Sequence, residues 1–392
     1  MIPEHVEVLR QGDDCGNGML VRFRLPSGLA VYGLATENFY GGHWDLGPTW
    51  NYVVMTNPPF LVDAGRRGQG RKLIAMLETA GLKPGDLGFV LISHGHEDHD
   101  GGLGELAKTG LKIRAHRIYQ RLIQRYPAMG PNGAKQGFPA KCWHCFMPES
   151  FFSEYCLDYH RELQELKIDP IGDGISELGE GLRAYHLPGH SPDSLAIQLG
   201  DEAIIMGDIV LPDISPWPTR EALFDEVAGV VGREYENPGD IFGLQRYIKS
   251  LLFLAGLARS KAGLQGFPAH RLFYKGKWSN LDTAARTGEL IDHHVQRCGA
   301  IVDILADGPR TAAEIARNHF APELLKGFGR LMAENEIDSH CELLVASGDV
   351  AAVGDHRYES NGSTLFENYI ESLSPHSRDD PGIGAASRKP SM

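Results

Sequence analysis

Residues 93–102 read Ser93-His94-Gly95-His96-Glu97-Asp98-His99-Asp100-Gly101-Gly102. They follow the apolar run Gly88-Phe-Val-Leu-Ile92, which reads as a buried strand. Packing has little use for several imidazoles beside a carboxylate, whereas imidazole nitrogen and carboxylate oxygen together suit zinc, iron or manganese. A turn just past a strand fans alternate side chains apart. His94 and His96 are expected to face one ion, and Asp98 and His99 a second. Gly101 and Gly102 are expected to let the chain turn tightly into a helix.

Further donors must come from elsewhere in the chain. His186-Leu-Pro-Gly-His190-Ser-Pro-Asp193, Ile204-Ile-Met-Gly-Asp208 and Gly266-Phe-Pro-Ala-His270 each place a His or Asp after an apolar run. Taken singly, such residues serve more often as caps or turns. Arg271, Tyr274 and Lys275 beside His270 could clamp an anionic substrate, or form a solvated turn with an aromatic anchor. Cys142 and Cys145, with Cys156 and His160, have spacing that admits a structural zinc. Free cysteines packed under a helical cap are the commoner arrangement.

Short apolar runs bounded by Gly, Pro, Asn or Asp predict strands at 19–25, 29–34, 51–55, 60–63, 89–93, 182–187, 195–199 and 203–207. A helix is expected over 71–80, stopped by Gly81. The fold class is therefore α/β or α+β, with sheets covered by helices. Residues 117–167 are aromatic, polar and broken by Gly and Pro, and read as a partly helical insertion over a site. The proline-studded stretch 211–239 reads as a second lid loop. A larger unit covers 1–285. A smaller unit, 288–362, shows a helix in Ile291-Asp-His-His-Val-Gln-Arg-Cys-Gly-Ala-Ile-Val-Asp-Ile-Leu305. A capping box, Thr311-Ala-Ala-Glu314, opens the next helix. A helix over 328–335 and a hairpin drawn from 343–360 complete a winged-helix pattern. Residues 372–392 have the composition of a disordered tail.

The chain has 392 residues, 38 Lys plus Arg against 51 Asp plus Glu, and a net charge of −13. This balance disfavours broad electrostatic capture of nucleic acid, and the winged-helix segment lacks a basic face. A small molecule is the expected partner, and a homodimer stays open. Six cysteines are too few for a disulfide scaffold and suit a reducing compartment. The N-terminus lacks the basic start and apolar run of a signal peptide, and no 18-residue apolar run is present. A cytoplasmic protein with no membrane span is the expectation.

Leu61-Val-Asp63-Ala-Gly65, then HGHEDH, PGHS, GD and PAH, occur in an order that resembles the metallo-β-lactamase superfamily over about residues 15–285. The resemblance implies an αββα sandwich carrying two divalent metal ions, zinc foremost, with iron or manganese compatible. It implies His94, His96 and His190 on the first ion, Asp98, His99 and His270 on the second, Asp208 bridging, and Asp63 orienting the ligand loop. Two cations sharing a water lower its pKa towards about 7, and the resulting hydroxide attacks the substrate. Asp98 would orient that water or take its proton. In the family's di-iron flavoprotein branch the position of His96 is usually glutamate, so histidine favours hydrolysis. The nucleases of the mRNA-processing branch carry a long insertion before their last ligands, which the short span from Asp208 to His270 leaves no room for. The basic and Tyr residues after His270 and the C-terminal winged-helix pattern resemble the β-lactamase-like protein 2 group and glyoxalase II, implying an acyl ester and foremost a thioester. A nuclease and a mononuclear iron persulfide dioxygenase are the alternatives.

Overall fold

The computed structural model describes residues 6–39, 45–124, 154–261, 263–279 and 282–374. Eight strands form the first sheet in sequential order: β1 (Val6–Arg10), β2 (Leu20–Arg24), β3 (Ala30–Thr36), β4 (Thr49–Val54), β5 (Phe60–Val62), β6 (Val90–Leu91), β7 (Ile113–His116) and β8 (Ile168–Ile171). The first five pair antiparallel, and β5 to β8 run parallel. The second sheet joins β9 (Ile175–Gly179), β10 (Leu182–His186), β11 (Leu195–Leu199), β12 (Ala203–Gly207) and β13 (Gln265–Pro268). Only β12 and β13 are parallel in it. A small hairpin, β14 (Phe273–Tyr274) with β15 (Lys277–Trp278), follows.

The central strands of both sheets are buried on both faces, so β4, β5, β11 and β12 carry no exposed residue. Phe23, Tyr52, Val62, Ile197, Ile205 and Phe267 fill the seam between them. Outside the first sheet lie α1 (Gly70–Thr79), α2 (Glu97–Asp100), α3 (Leu103–Ala107), α4 (Arg117–Gln124) and α5 (Glu154–Gln164). Leu73, Leu77, Leu103, Tyr119 and Leu163 pack there. Outside the second sheet lies α7 (Leu244–Ser260), while α6 (Phe224–Val231) packs against α4. The result is the αββα sandwich. Strand C-terminal ends of both sheets, those of β5, β6, β10, β12 and β13, meet at one edge, the usual place for a site in such sheets.

The C-terminal segment continues this packing. It holds α8 (Thr283–Leu305), β16 (Arg310–Thr311), α9 (Ala312–His319), α10 (Phe328–Ser347), β17 (Val350–Val353), β18 (Arg357–Ser360) and α11 (Phe366–Ser372). A boundary at 285–288 falls inside the first turns of α8. Leu290, Ile301 and Ile337 share one core with Leu244, Tyr247 and Leu251 of α7 and Met206 of β12. The stretch 238–260 has the length and apolarity to cross a membrane, but its apolar side chains are the ones packed into this core.

Several elements depart from expectation. α10 runs to Ser347, absorbing residues 343–347 of the expected hairpin, because Cys341 and Leu344 continue its buried face. The hairpin is β17–β18, turning through left-handed Asp355 and His356. The capping box at Thr311 forms as expected. Stretch 211–239 contains α6 and is not wholly loop. Gly101 and Gly102 have ordinary helical φ values of −61° and −84°. Their role is close packing, since a Cβ would stand 2.2 Å from Arg67 N and 2.1 Å from Ala64 O, respectively. Of the expected insertion, α4 and α5 are seen, while Cys142 and Cys145 and the tail beyond residue 374 lie outside the described residues.

Half-buried His293 and buried His294 and His340 of α8 and α10 make stability depend on pH. Burial first, then Arg297 and Arg286, push His293 down to about 4. His294 and His340 are also held well below their usual value, by burial and then by neighbouring cationic groups. Unfolded histidines protonate near ~6.5. The folded values are lower, so the contribution is complete above ~6.5 and is lost as pH falls towards His293's folded value. The urea midpoint is expected to fall between about pH 7 and pH 4.5, and less steeply in His293→Gln. Equal slopes in parent and variant would contradict this.

Candidate metal centre

Asp63, just past β5, has a left-handed conformation, φ 65°, uncommon for a residue with a side chain and typical of functional turns. Its carboxylate accepts from Ser93 N at 2.7 Å, Ser93 Oγ at 2.9 Å and His99 Nδ1 at 2.9 Å. The Ser93 hydroxyl proton is spent on Asp63, so Oγ accepts from His94 Nδ1, 3.1 Å away. His190 Nδ1 donates to Trp217 O at 2.9 Å and His270 Nδ1 to Pro48 O at 3.1 Å. Four imidazoles thus have Nδ1 tied outward, which fixes the tautomer and leaves Nε2 as the free donor to a metal.

Those donors converge in two groups. In the first, His94 Nε2 and His96 Nδ1 are 3.0 Å apart, and His190 Nε2 and His96 Nδ1 are 3.2 Å apart. In the second, His270 Nε2 lies 3.1 Å from Asp98 Oδ2, with His99 Nε2 beside them. Asp208 stands between the groups. Its Oδ1 is 3.5 Å from His99 Nε2 and 3.4 Å from His270 Nε2, and its Oδ2 is 3.7 Å from His190 Nε2. His99 Nε2, His270 Nε2 and Asp208 Oδ1 are buried without a hydrogen bond. Buried polar atoms seldom stay unsatisfied, and a divalent cation among them would satisfy all three. The donor set therefore fits two ions, with nitrogen and oxygen ligands suiting zinc, iron or manganese alike.

Electrostatics agree with that fit. Burial opposes charge on Asp98, but His99 and His270 outweigh it and hold the carboxyl well below its usual range. For Asp208 burial is likewise outweighed by His270 and His99. His94 and His96 are pushed well down by burial and by neighbouring imidazoles, so they stand as neutral free bases.

Several supporting residues carry no local sequence signal. Asn38, just past β3, donates from Nδ2 to Asp98 Oδ2 at 2.8 Å. Asp193 Oδ2 accepts from Gly95 N at 2.8 Å, joining the two His-bearing loops. Burial raises Asp193 to about 6 despite its hydrogen bonds. Asp100 accepts from Tyr119 at 3.0 Å and from Tyr159, anchoring α2 to α4 and α5. Gly189, φ 137°, lets the loop before His190 lie on α7, where a Cβ would meet Tyr247 Cα at 2.4 Å. The preceding Leu-Pro-Gly could have flagged that turn.

Arg271, Tyr274 and Lys275 lie beside His270 in sequence, and their groups meet the chain itself. Arg271 Nε donates to Leu46 O at 3.2 Å, Nη2 donates to Asp45 O, and the guanidinium stacks 3.7 Å from the Tyr274 ring centroid. Tyr274 donates to Asp45. Lys275 is exposed, with Nζ 5.0 Å from that ring centroid. His160 is buried on α5. The side chains of Cys142, Cys145 and Cys156 lie outside the described residues.

A family model for the metallo-beta-lactamase superfamily matches residues 44–257. The chain belongs to that superfamily and is a metal-dependent hydrolase. Among curated relatives, an N-acyl homoserine lactonase of Bacillus cereus is 25% identical over 204 residues, covering 46% of this chain and 68% of that protein. The exodeoxyribonuclease WalJ of Streptococcus pneumoniae is 39% identical over 86 residues, 22% of this chain and 31% of that protein. Solved structures of the same fold include two with long alignments. A metallo-beta-lactamase family protein of Thermus thermophilus has a TM-score of 0.60 at 24% identity, covering 84% of this chain and 98% of its own. A beta-lactamase domain protein of Burkholderia ambifaria has a TM-score of 0.54 at 20% identity, covering 92% and 95%. Both alignments are longer than segment 1–285 and so reach beyond it.

Asp63 touches no proposed ion yet holds two imidazole-bearing turns. Asp63→Asn is expected to lower metal affinity on the order of 10–100-fold, read by chelator competition, with the fold retained by circular dichroism. Unchanged affinity would remove Asp63 from the site.

Proposed function

We propose that this chain is a binuclear hydrolase of acyl esters, with thioesters of the acyl-CoA or glutathione kind foremost. His94, His96 and His190 would hold one ion, Asp98, His99 and His270 the other, with Asp208 within reach of both groups. The observation that carries this reading is the division of the two Asp208 oxygens between the two imidazole groups. When bound, such a pair of ions supplies a water acidified towards about pKa 7 and a Lewis acid for the carbonyl oxygen.

The remaining work belongs to the chain. Asp98 is kept ionised by His99 and His270 and is steadied by Asn38, so it orients the attacking water through a carboxylate oxygen. Trp217 is half-buried, and its ring lies parallel to that of His96, 9° between planes and 6.3 Å between centroids. It offers an apolar wall to an acyl chain. The lactonase relative cleaves an acyl ester bond of the cyclic kind, which supports the ester class. Because Arg271 is engaged internally, exposed Lys275 is the proposed contact for an anionic thiol carrier. The acidic charge and the cysteine usage support a small-molecule substrate met in a reducing, cytoplasmic setting; zinc is the resident metal in this reading, with a donor set that iron or manganese would also fit.

The nuclease relative gives phosphodiester cleavage a specific footing over its 86 matched residues. Turnover of an acyl-CoA, an S-acylglutathione, an acyl lactone, bis(p-nitrophenyl) phosphate and a short single-stranded DNA, measured side by side, separates the readings. The thioesters are expected to lead, with activity lost on chelation and regained with zinc. Faster phosphodiester turnover would replace this reading with a nuclease. One iron per chain with oxygen uptake on a persulfide would replace it with a dioxygenase.

A further inference from the structure

Residues 211–220 cross the metal edge without regular secondary structure. A segment with no ladder of backbone bonds takes its position from whatever anchors it. Here the anchors come from the C-terminal helices. On α8, Arg286 Nε donates to Leu211 O at 2.8 Å and Nη2 to Ile214 O at 3.1 Å. On α10, Asp338 Oδ2 pairs with Arg220 Nη1 at 2.9 Å. Glu342 accepts Glu221 N at 2.7 Å and Ala222 N at 3.0 Å, one on each carboxylate oxygen. The Arg286 guanidinium on two backbone carbonyls makes bonds stronger than neutral pairs. Burial pushes Glu342 up to about 7 against the pull of its two N–H donors, and both members of the Arg220–Asp338 pair are largely shielded from water.

Between these anchors the strap touches the metal loops. Thr219 donates from N at 2.7 Å and from Oγ1 at 2.8 Å to Gly189 O. Trp217 O accepts His190 Nδ1–H, the bond that turns His190 Nε2 inward. The indole lies beside His96.

We infer that the C-terminal helices are a working part of the metal centre: Arg286, Asp338 and Glu342 are positioning residues that, through the strap 211–222, set the carbonyl of Trp217 on His190 and its indole beside His96. This rests on His190 and His96 being ligands of the first ion. The C-terminal unit thereby controls how firmly that ion is held and what shape of acyl group passes Trp217, without touching either.

The test uses the full chain. Apo-protein is titrated with zinc against a chelator, the cobalt(II)-substituted protein is followed by its visible absorption, and KM and kcat are measured separately on the best substrate. Glu342→Gln and Arg286→Ala are each expected to weaken first-site zinc binding about 10-fold or more. Both should shift the cobalt spectrum and raise KM more than they lower kcat, with circular dichroism unchanged. Arg220→Asp is expected to do the same, and Arg220→Asp combined with Asp338→Arg to restore all three readouts. Should one of these proteins misfold, the others carry the same test at separate anchors. Variants that lose thermal stability while zinc affinity, cobalt spectrum and KM stay at parental values would show that α8 and α10 only pack, and would overturn the inference. His190→Ala serves as the control. If it too leaves zinc affinity and the cobalt spectrum unchanged, the ligand assignment has failed, and not the strap.

Discussion

One carboxylate facing two groups of imidazoles is the constraint on which the rest depends. Asp208 is buried, and by charge alone burial would protonate it. It stays ionised because His99, His190 and His270 surround it, and those imidazoles are neutral ligands only when something else supplies the positive charge. A pair of divalent cations would resolve both demands together. The fold serves that arrangement by bringing the C-terminal ends of five strands from two sheets to one edge. The bonds from Leu195 N to Ser93 O at 2.8 Å and from Trp50 N to Ala269 O at 2.7 Å lock the sheets together beside the site.

Orientation of the ligands is the second layer. Nδ1 of His94, His99, His190 and His270 each meets an oxygen outside the donor group. Asp63 serves two of these contacts, one directly and one through Ser93. Its left-handed backbone is therefore a cost the fold carries to aim its carboxylate at both Ser93 and His99.

Much of the centre was legible in the chain because its donors are local. His94 to His99 lie in one turn, and His190, Asp208 and His270 each follow an apolar strand by a few residues. Asn38, Asp193 and Trp217 were not legible as site residues, since each meets its partner across 27 to 98 positions. The same distinction holds for the fold. The all-buried runs Leu195–Leu199 and Ala203–Gly207 were read as strands with their observed limits. The strand Ile168–Ile171 was missed because Asp169 and Pro170 break its apolar pattern at the sheet edge. The end of α10 is not legible in the chain, because an apolar run fits either a buried strand or a helix face, and only packing on α7 and α8 decides.

Diffraction from crystals of the zinc-loaded protein, with anomalous data at the zinc edge, addresses the central claim most directly. Two peaks about 3.5–4 Å apart, with one Asp208 oxygen on each, is the predicted result. A single peak held by His94, His96 and His190, with Asp208 turned away from it, would contradict the account.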